Sequence, residues 1–340
     1  MRGAPLVHNM SSNILVIKLG AFGDLVLAFE AFHAIRTHHR DARITLLTRK
    51  PYASWARQMP WFDDVWEDPA LHWWQWRRIL LWRNQLRAGG FTRVYDLQGN
   101  DRTAFYFRLI GRPKPEWSGQ VRGCSHPRPD FRGSPLPVHE RLLRQLEAAG
   151  VPRAGRAPLD WLTGPVDHLD LPPRYVVLVP GCSPHRPQKR WPPENYAALA
   201  RRLLETGTDA VLVGTAADRD AIEPIKRAVP NARDLSGRTD FGQLAEAARR
   251  ALAVVGNDTG PIHLMAAVGA PTLVLYSGES DPRRMLPHGP TVAWLQRPNL
   301  RDLTTDEVWT WLRNHWIGPA QMDRLHPQPA PCLPPDRPAP

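Results

Sequence analysis

The segment Gly256-Asn-Asp258-Thr259-Gly260-Pro261-Ile-His263 follows a short apolar run and leads through a glycine turn into a helix-compatible stretch. Proline suits the first helical position, where its missing N–H is no loss. The backbone N–H groups of Thr259 and Gly260 are then expected to face a cleft. A helix start presents unpaired donors and a positive dipole there, so a pyrophosphate fits. His263 falls in the first turn and could face the same ligand. The competing reading is structural: Asp258 or Thr259 caps the helix and His263 packs.

A second stretch, Pro180-Gly-Cys-Ser183-Pro-His185-Arg-Pro-Gln-Lys189-Arg190-Trp191-Pro192, brings Arg186, Lys189, Arg190 and Ser183 to one loop. Lys189 or Arg190 could neutralise a diphosphate leaving group as its charge develops. The bland alternative is a solvated basic loop, although its prolines and Trp191 stiffen it. Asp24 follows Gly20 and Gly23 at the start of a helix. It is either a cap or a general base that takes a proton from an attacking hydroxyl. Asp218-Arg219-Asp220 spells the DxD pattern of some metal-dependent sugar-nucleotide enzymes. It opens a helix, where acids favour the dipole, and no second acidic cluster lies near it in sequence. A carboxylate on a ribose hydroxyl is the better functional reading.

These residues need strands and helices to hold them. Asn13-Ile-Leu-Val-Ile-Lys18, Arg43-Ile-Thr-Leu-Leu-Thr48 and Thr92-Arg-Val-Tyr-Asp-Leu97 read as buried strands. Between the first two, Leu25, Phe29, Phe32 and Ile35 recur at helical spacing. The region 111–138 is dense in Pro, Gly and Arg and reads as loop; 139–149 reads as helix. The pattern restarts with Tyr175-Val-Val-Leu-Val179, Asp209-Ala-Val-Leu-Val213, Leu252-Ala-Val-Val255 and Thr272-Leu-Val-Leu-Tyr276, helices intervening. The expected fold is α/β: two doubly wound units whose strand carboxyl ends meet at a cleft. Expected boundaries are a tail over 1–12, units over 13–150 and 173–300, and a linker over 151–172. A helix over 301–317 packs back, and a Pro-rich disordered tail covers 318–340.

The chain has 340 residues, which at about 150 per domain suits two domains. It is 42% hydrophobic, enough for sizeable cores, and carries a net charge of +11. Such charge draws a protein toward nucleic acid, anionic lipid or phosphorylated ligands. No uncharged run approaches the ~18 residues of a membrane span, and the first residues are too polar for a secretory signal. A cytoplasmic protein is expected. Cys124, Cys182 and Cys332 lie far apart without a CxxC spacing, which argues against a disulfide framework or zinc site. Leu71-His-Trp-Trp-Gln-Trp-Arg-Arg-Ile-Leu-Leu-Trp-Arg-Asn-Gln-Leu86 mixes tryptophan, leucine and arginine. It suits an anionic membrane surface, or equally a helix packed on its own sheet with solvated arginines.

Lys18-Leu-Gly-Ala-Phe-Gly-Asp24, Tyr95-Asp-Leu-Gln-Gly99, Lys189-Arg-Trp-Pro192 and the 256–263 motif, in this order and spacing, resemble glycosyltransferase family 9. These are the ADP-heptose:lipopolysaccharide heptosyltransferases and their relatives. The resemblance implies a GT-B fold and an inverting, metal-independent transfer without a cofactor. The sugar nucleotide would bind the C-terminal domain. A lipid-linked saccharide acceptor, at the inner leaflet, would bind the N-terminal domain. Asp24 matches the catalytic base and Lys189 the lysine on the diphosphate. Asp218, or Asp220 one helical step on, matches the acid on the ribose. Asp258, Thr259 and Gly260 match the residues on sugar hydroxyls and phosphate, and His263 the histidine of the same motif. Backbone at Arg238 and Thr239 lies where adenine is held. Ser183 heads a donor-side loop that departs from the threonine-rich loop of the best-known heptosyltransferases.

Two alternatives compete. An epimerase or hydrolase on the same fold needs acid and base groups around the donor sugar, whereas Asp24 lies in the first unit. A basic nucleic-acid-binding protein fits the charge, but no nucleic-acid motif is present and the arginines are scattered.

Overall fold

The computed structural model describes residues 12–318 apart from Pro184. The expected tails therefore lie almost wholly outside the described residues. The first half is a parallel sheet of β1 (Asn13–Ile17), β2 (Arg43–Thr48), β3 (Asp64–Glu67), β4 (Phe91–Asp96), β5 (Glu116–Gly119) and β6 (His126–Pro127). Its helices are α1 (Phe22–Val26), α2 (Phe29–His38), α3 (Lys50–Ala56), α4 (Trp76–Ala88), α5 (Asp101–Leu109) and α6 (Val138–Ala148). The second half holds β7 (Tyr175–Val179), β8 (Asp209–Leu212), β9 (Arg233–Asp234), β10 (Ala253–Asn257), β11 (Thr272–Tyr276) and β12 (Val292–Gln296). Its helices are α7 (Pro193–Glu205), α8 (Arg219–Ala228), α9 (Phe241–Arg250), α10 (Gly260–Ala267), α11 (Pro282–Met285) and α12 (Thr305–Leu312).

The strand orders are β3-β2-β1-β4-β5-β6 and β12-β11-β10-β7-β8-β9. Each domain thus winds outward from its first strand, returns, and continues on the other side. The direction reverses between β1 and β4, and between β7 and β10. At such a reversal the flanking loops diverge and leave a crevice at the strand carboxyl ends. The central strands are apolar because helices cover both faces; Ile14, Leu15, Val16, Val176, Val177 and Val254 are wholly buried.

The structure adds β3, β5, β6, β9 and β12 to the strands legible in the sequence. Four of them span only two to four residues, and β12 is an edge strand with mixed exposure. β5 and β6 fall inside the region read as loop. The first helix is also two: the chain tightens at Leu27 and Ala28, where the Ala28 N–H bonds back to Leu25 O.

The two domains meet through α1 and α10. Phe22 stacks on Phe241 with ring centroids 4.2 Å apart and planes 12° from parallel, an arrangement worth about 0.5–1.5 kcal/mol beyond its burial. His288 Nε2 lies 2.7 Å from Glu30 Oε1 on the same interface. α12 packs on α7 of the second domain, and the Trp191 indole N–H donates to Leu303 O at 2.7 Å beneath it.

Candidate active site

Asn257, the last residue of β10, is wholly buried and ties the C-terminal crevice together. Its Oδ1 accepts from the Trp191 N–H at 3.0 Å and from the Tyr196 hydroxyl at 3.1 Å. Its Nδ2 donates to Pro180 O at 2.8 Å and Gly181 O at 3.2 Å. Both donors and both acceptor sites of the amide are used. The loop after β7 and the chain entering α7 are thereby fixed to the end of β10. That fixes Lys189, which sits in a single 3₁₀ turn before α7.

Lys189 Nζ lies 2.6 Å from Asp258 Oδ2. The same oxygen accepts from Ser280 Oγ at 2.7 Å, and His263 Nε2 lies 3.8 Å from Asp258 Oδ1. Burial alone would raise the Asp258 pKa. Hydrogen bonding and positive charge from His263 and Lys189 outweigh it and hold the carboxyl well below the usual carboxylate range. An ammonium has three donors, and Asp258 engages one. The lysine expected on phosphate and the acid expected on sugar are therefore one cluster.

Beside it lies a cavity of about 280 Å³, lined by Gly181, Ser183, Asp218, Thr239, Phe241 and Thr259 among others. Asp218 Oδ2 accepts from both the Thr215 N–H and its hydroxyl, each at 2.9 Å. Its Oδ1 is 3.8 Å from an Arg190 guanidinium nitrogen. A Cβ at Gly181 would stand 2.3 Å from that Oδ1, so glycine is what lets the carboxylate reach the cavity wall. Asp220 is exposed on α8. Arg238 is exposed too, its guanidinium 3.4 Å from Asp234 O. Of these candidates the structure brings Ser183, Asp218, Thr239 and Thr259 together, and leaves Asp220 and the Arg238 side chain outside.

Gly260 opens α10 against α1. A Cβ there would lie 2.9 Å from Phe22 Cδ1, and one at Gly23 would lie 3.0 Å from His263 Cδ2. Two glycines thus let the helices touch. His263 fills the contact, 4% exposed, and its Nδ1 is buried without a hydrogen-bond partner. Asp24 is the residue after Gly23. Its Oδ2 accepts from the Ala21 N–H at 3.1 Å, reaching back as a third-position helix acid. The half-buried side chain is one of three ionisable groups at the ends of β1 and β4. Lys18 donates to Leu97 O at 3.2 Å; burial lowers its pKa, while Asp24 and Asp96 oppose that. Burial raises the Asp96 pKa, although its Oδ1 accepts the Gly99 N–H at 2.8 Å.

Sequence reasoning left Lys18, Asn257 and Ser280 without roles. Lys18 and Asn257 lie inside motifs it singled out, and their position at a strand end was the usable signal. Ser280 stands in the loop after β11, which has no marked composition.

The model of glycosyltransferase family 9 (heptosyltransferase) matches residues 145–307. Lipopolysaccharide heptosyltransferase 2 of Escherichia coli K12 is 28% identical over 301 residues, covering 79% of this chain and 83% of that protein. The solved structure of E. coli ADP-heptose lps heptosyltransferase II superposes with a TM-score of 0.71 at 23% identity, over 89% of this chain and 98% of the other. A glycosyltransferase family 9 structure from Veillonella parvula gives 0.77 at 19% identity, over 89% and 96%. The iron-containing dodecameric glycosyltransferase TibC of enterotoxigenic E. coli H10407 gives 0.51 at 17% identity, over 84% and 63%. The matched region spans the crevice that holds Lys189, Asp218, Asp258 and His263, and the two sheets have the GT-B arrangement of these neighbours: the chain is a glycosyltransferase, and its residues 145–307 match glycosyltransferase family 9.

Proposed function

We propose that the protein transfers a heptose-type sugar from ADP-heptose, or a related nucleotide-diphosphate sugar, to a lipopolysaccharide core or related glycolipid acceptor, with inversion. The observation that carries this reading is the contact of α1 with α10. It brings the Asp24 turn of one domain to the Lys189–Asp258–His263 cluster of the other. An acceptor hydroxyl oxygen attacks the anomeric carbon as the bond to the diphosphate oxygen breaks. Asp24 takes the hydroxyl proton, and the departing electron pair stays on the diphosphate. Lys189 and the start of α10 offset the charge that develops there. The nucleoside would occupy the cavity lined by Ser183, Asp218 and Thr239. The test is product analysis by mass spectrometry with ADP-heptose and a core acceptor. Donor loss without acceptor would point to a hydrolase, and donor isomerisation to an epimerase.

The transfer is proposed to need no divalent metal. Among the described residues no three His, Cys, Asp or Glu side chains gather in a metal-binding group, and Asp218 is turned toward Thr215 and Arg190. Turnover should be unchanged in excess EDTA. Activity abolished by EDTA and restored by magnesium, manganese or iron would overturn this.

The acceptor side is proposed to dock on an anionic membrane surface at the cytoplasmic face of the inner membrane. No described helix is long and apolar enough to cross a membrane. Of the tryptophans in 71–86, Trp82 is buried in the N-terminal core, whereas Trp73 (85% exposed), Trp74 and Trp76 face outward with Leu80 and Leu81. Arg77 and Arg78 are exposed beside them. Tryptophan favours the headgroup region and arginine meets lipid phosphate. Each basic residue near such a surface contributes about 1 kcal/mol, screened by salt. Co-sedimentation with anionic but not neutral vesicles is expected, reduced when Arg77, Arg78 and Arg83 become Gln. Equal sedimentation of wild type and mutant would remove the arginines from docking.

A further inference from the structure

We propose that Phe22 is a positioning residue for the transfer: its ring, stacked on a wall of the nucleoside cavity, steadies the Asp24 turn when that cavity is filled. The inference rests on the transfer reading above and adds to it a residue that acts through Asp24. Helix α1 has only five residues, and no side chain of its preceding residue caps it. A single helical turn is marginal by itself, so tertiary packing must set its orientation. Leu25 and Val26 bury its far end. Its near end, which carries Asp24, is held from the other domain.

Three rings meet there. Phe22 stacks on Phe241 with centroids 4.2 Å apart and planes 12° from parallel, and lies 5.1 Å from Trp55 on α3. Phe241 in turn lies 4.7 Å from Trp55, which is buried. Phe22 also rests on the start of α10, since a Cβ at Gly260 would stand 2.9 Å from Phe22 Cδ1. Phe241 is itself fixed. It is the first residue of α9, whose capping Asp240 accepts the Gln243 N–H at 2.8 Å. Its neighbour Gly242 packs so closely on the Thr163 carbonyl that a side chain would not fit. Phe241 also lines the cavity assigned to the nucleoside, together with Thr239 and Leu244. One ring is therefore both cavity wall and seat for Phe22.

The residues lining that cavity all belong to the C-terminal domain, so a nucleoside in it acts on Asp24 through the interface. Phe22 and Asp24 are two positions apart, about 200° around a helix axis. They project to opposite sides of α1, and a ring that rocks on its seat swings the carboxylate. A nucleoside against Phe241 restricts that ring and, through the stack, the turn. Attack geometry tolerates little error: a misplacement of about 1 Å costs roughly a hundredfold in rate.

The test pairs hydrogen exchange with kinetics on the full chain. Saturating adenosine is expected to slow amide exchange in residues 22–28, where the Leu25 and Leu27 N–H groups bond to Ala21 O and Gly23 O. Phe22→Ala should abolish that protection while peptides on the cavity wall stay protected. In transfer assays Phe22→Ala should lower kcat roughly ten- to hundredfold with ADP affinity within about twofold. Phe22→Tyr keeps the ring and should restore most of kcat. Phe22→Leu keeps apolar bulk without the stack, and carries the same tests if the alanine variant is unstable. Adding Phe241→Leu to Phe22→Ala should lower kcat no further, because the same contact is already lost. Protection of α1 by ADP but not by adenosine would route the effect through the diphosphate and α10, and overturn the role of the rings. An unchanged kcat in Phe22→Ala, or a loss of ADP affinity as large as the loss of kcat, would overturn it too. If the wild type transfers no sugar yet adenosine protects α1 through Phe22, the proposed reaction fails and the coupling stands.

Discussion

Asp24→Asn is expected to fold normally and to bind donor nearly as the wild type does, yet to lose turnover by about a hundredfold or more. The substitution changes almost no shape. An asparagine oxygen can still accept from the Ala21 N–H, which Asp24 Oδ2 accepts at 3.1 Å, so α1 keeps its start. What is lost is a group that can receive a proton. One further effect follows from the neighbourhood. Lys18 is buried and its pKa is lowered by that burial, with Asp24 among the charges that oppose the shift. Removing the Asp24 charge pushes Lys18 further in the same direction, and a Lys18→Met partner variant separates that contribution from the loss of the base. The measurements are kcat at saturating substrates, ADP affinity and melting temperature. A low kcat with unchanged affinity and melting temperature is the signature of a base. Unchanged turnover would leave Asp24 as a helix-start acid only.

The legible part of this protein was its buried part. Parallel strands covered on both faces must be continuous apolar runs, so β1, β2, β4, β7, β8, β10 and β11 stood out in the sequence. β3, with Asp64, Trp66 and Glu67, and β5, with Glu116 and Gly119, lie toward the sheet edge and lack that signature. The same physics governed the site. Asp258 and Lys189 were marked by glycine turns and prolines at strand ends, which are local signals. Their pairing, 69 residues apart in sequence, depends on Asn257 tying two loops together, and no local pattern carries that. Asp218 and Asp220 were indistinguishable by spacing; only the 3₁₀ turn at Ala216–Asp218 turns the first inward and leaves the second on the outer face of α8. The tryptophan-rich stretch was ambiguous because tryptophan serves both a core and an interface. It does both here: Trp82 packs and its neighbours do not.

Lys189→Met is expected to weaken ADP binding roughly ten- to hundredfold, the range of one charge-assisted hydrogen bond at ~1.5–3 kcal/mol, while leaving adenosine binding nearly unchanged. The single variant is not enough, because the Lys189 and Asp258 side chains are only 11% and 6% exposed. Removing one member of a buried pair leaves the other uncompensated, at a cost of about 3–5 kcal/mol. Ser280 and His263 remain beside Asp258 and soften that penalty without replacing the ammonium. A fall in melting temperature would then drag down every binding constant. The double variant Lys189→Met with Asp258→Asn resolves this. It removes both charges and leaves Ser280 a neutral amide to bond, so most of the lost melting temperature should return. If Lys189 holds the diphosphate, ADP affinity stays low in the double variant although stability recovers. If ADP affinity returns with the melting temperature, Lys189 serves the fold and not the phosphate. Equal weakening of ADP and adenosine in the stable double variant would refute the phosphate role by a separate route. A nucleoside in the Asp218 cavity makes no use of a charge placed at the diphosphate, so only a general loosening of the crevice could weaken both alike.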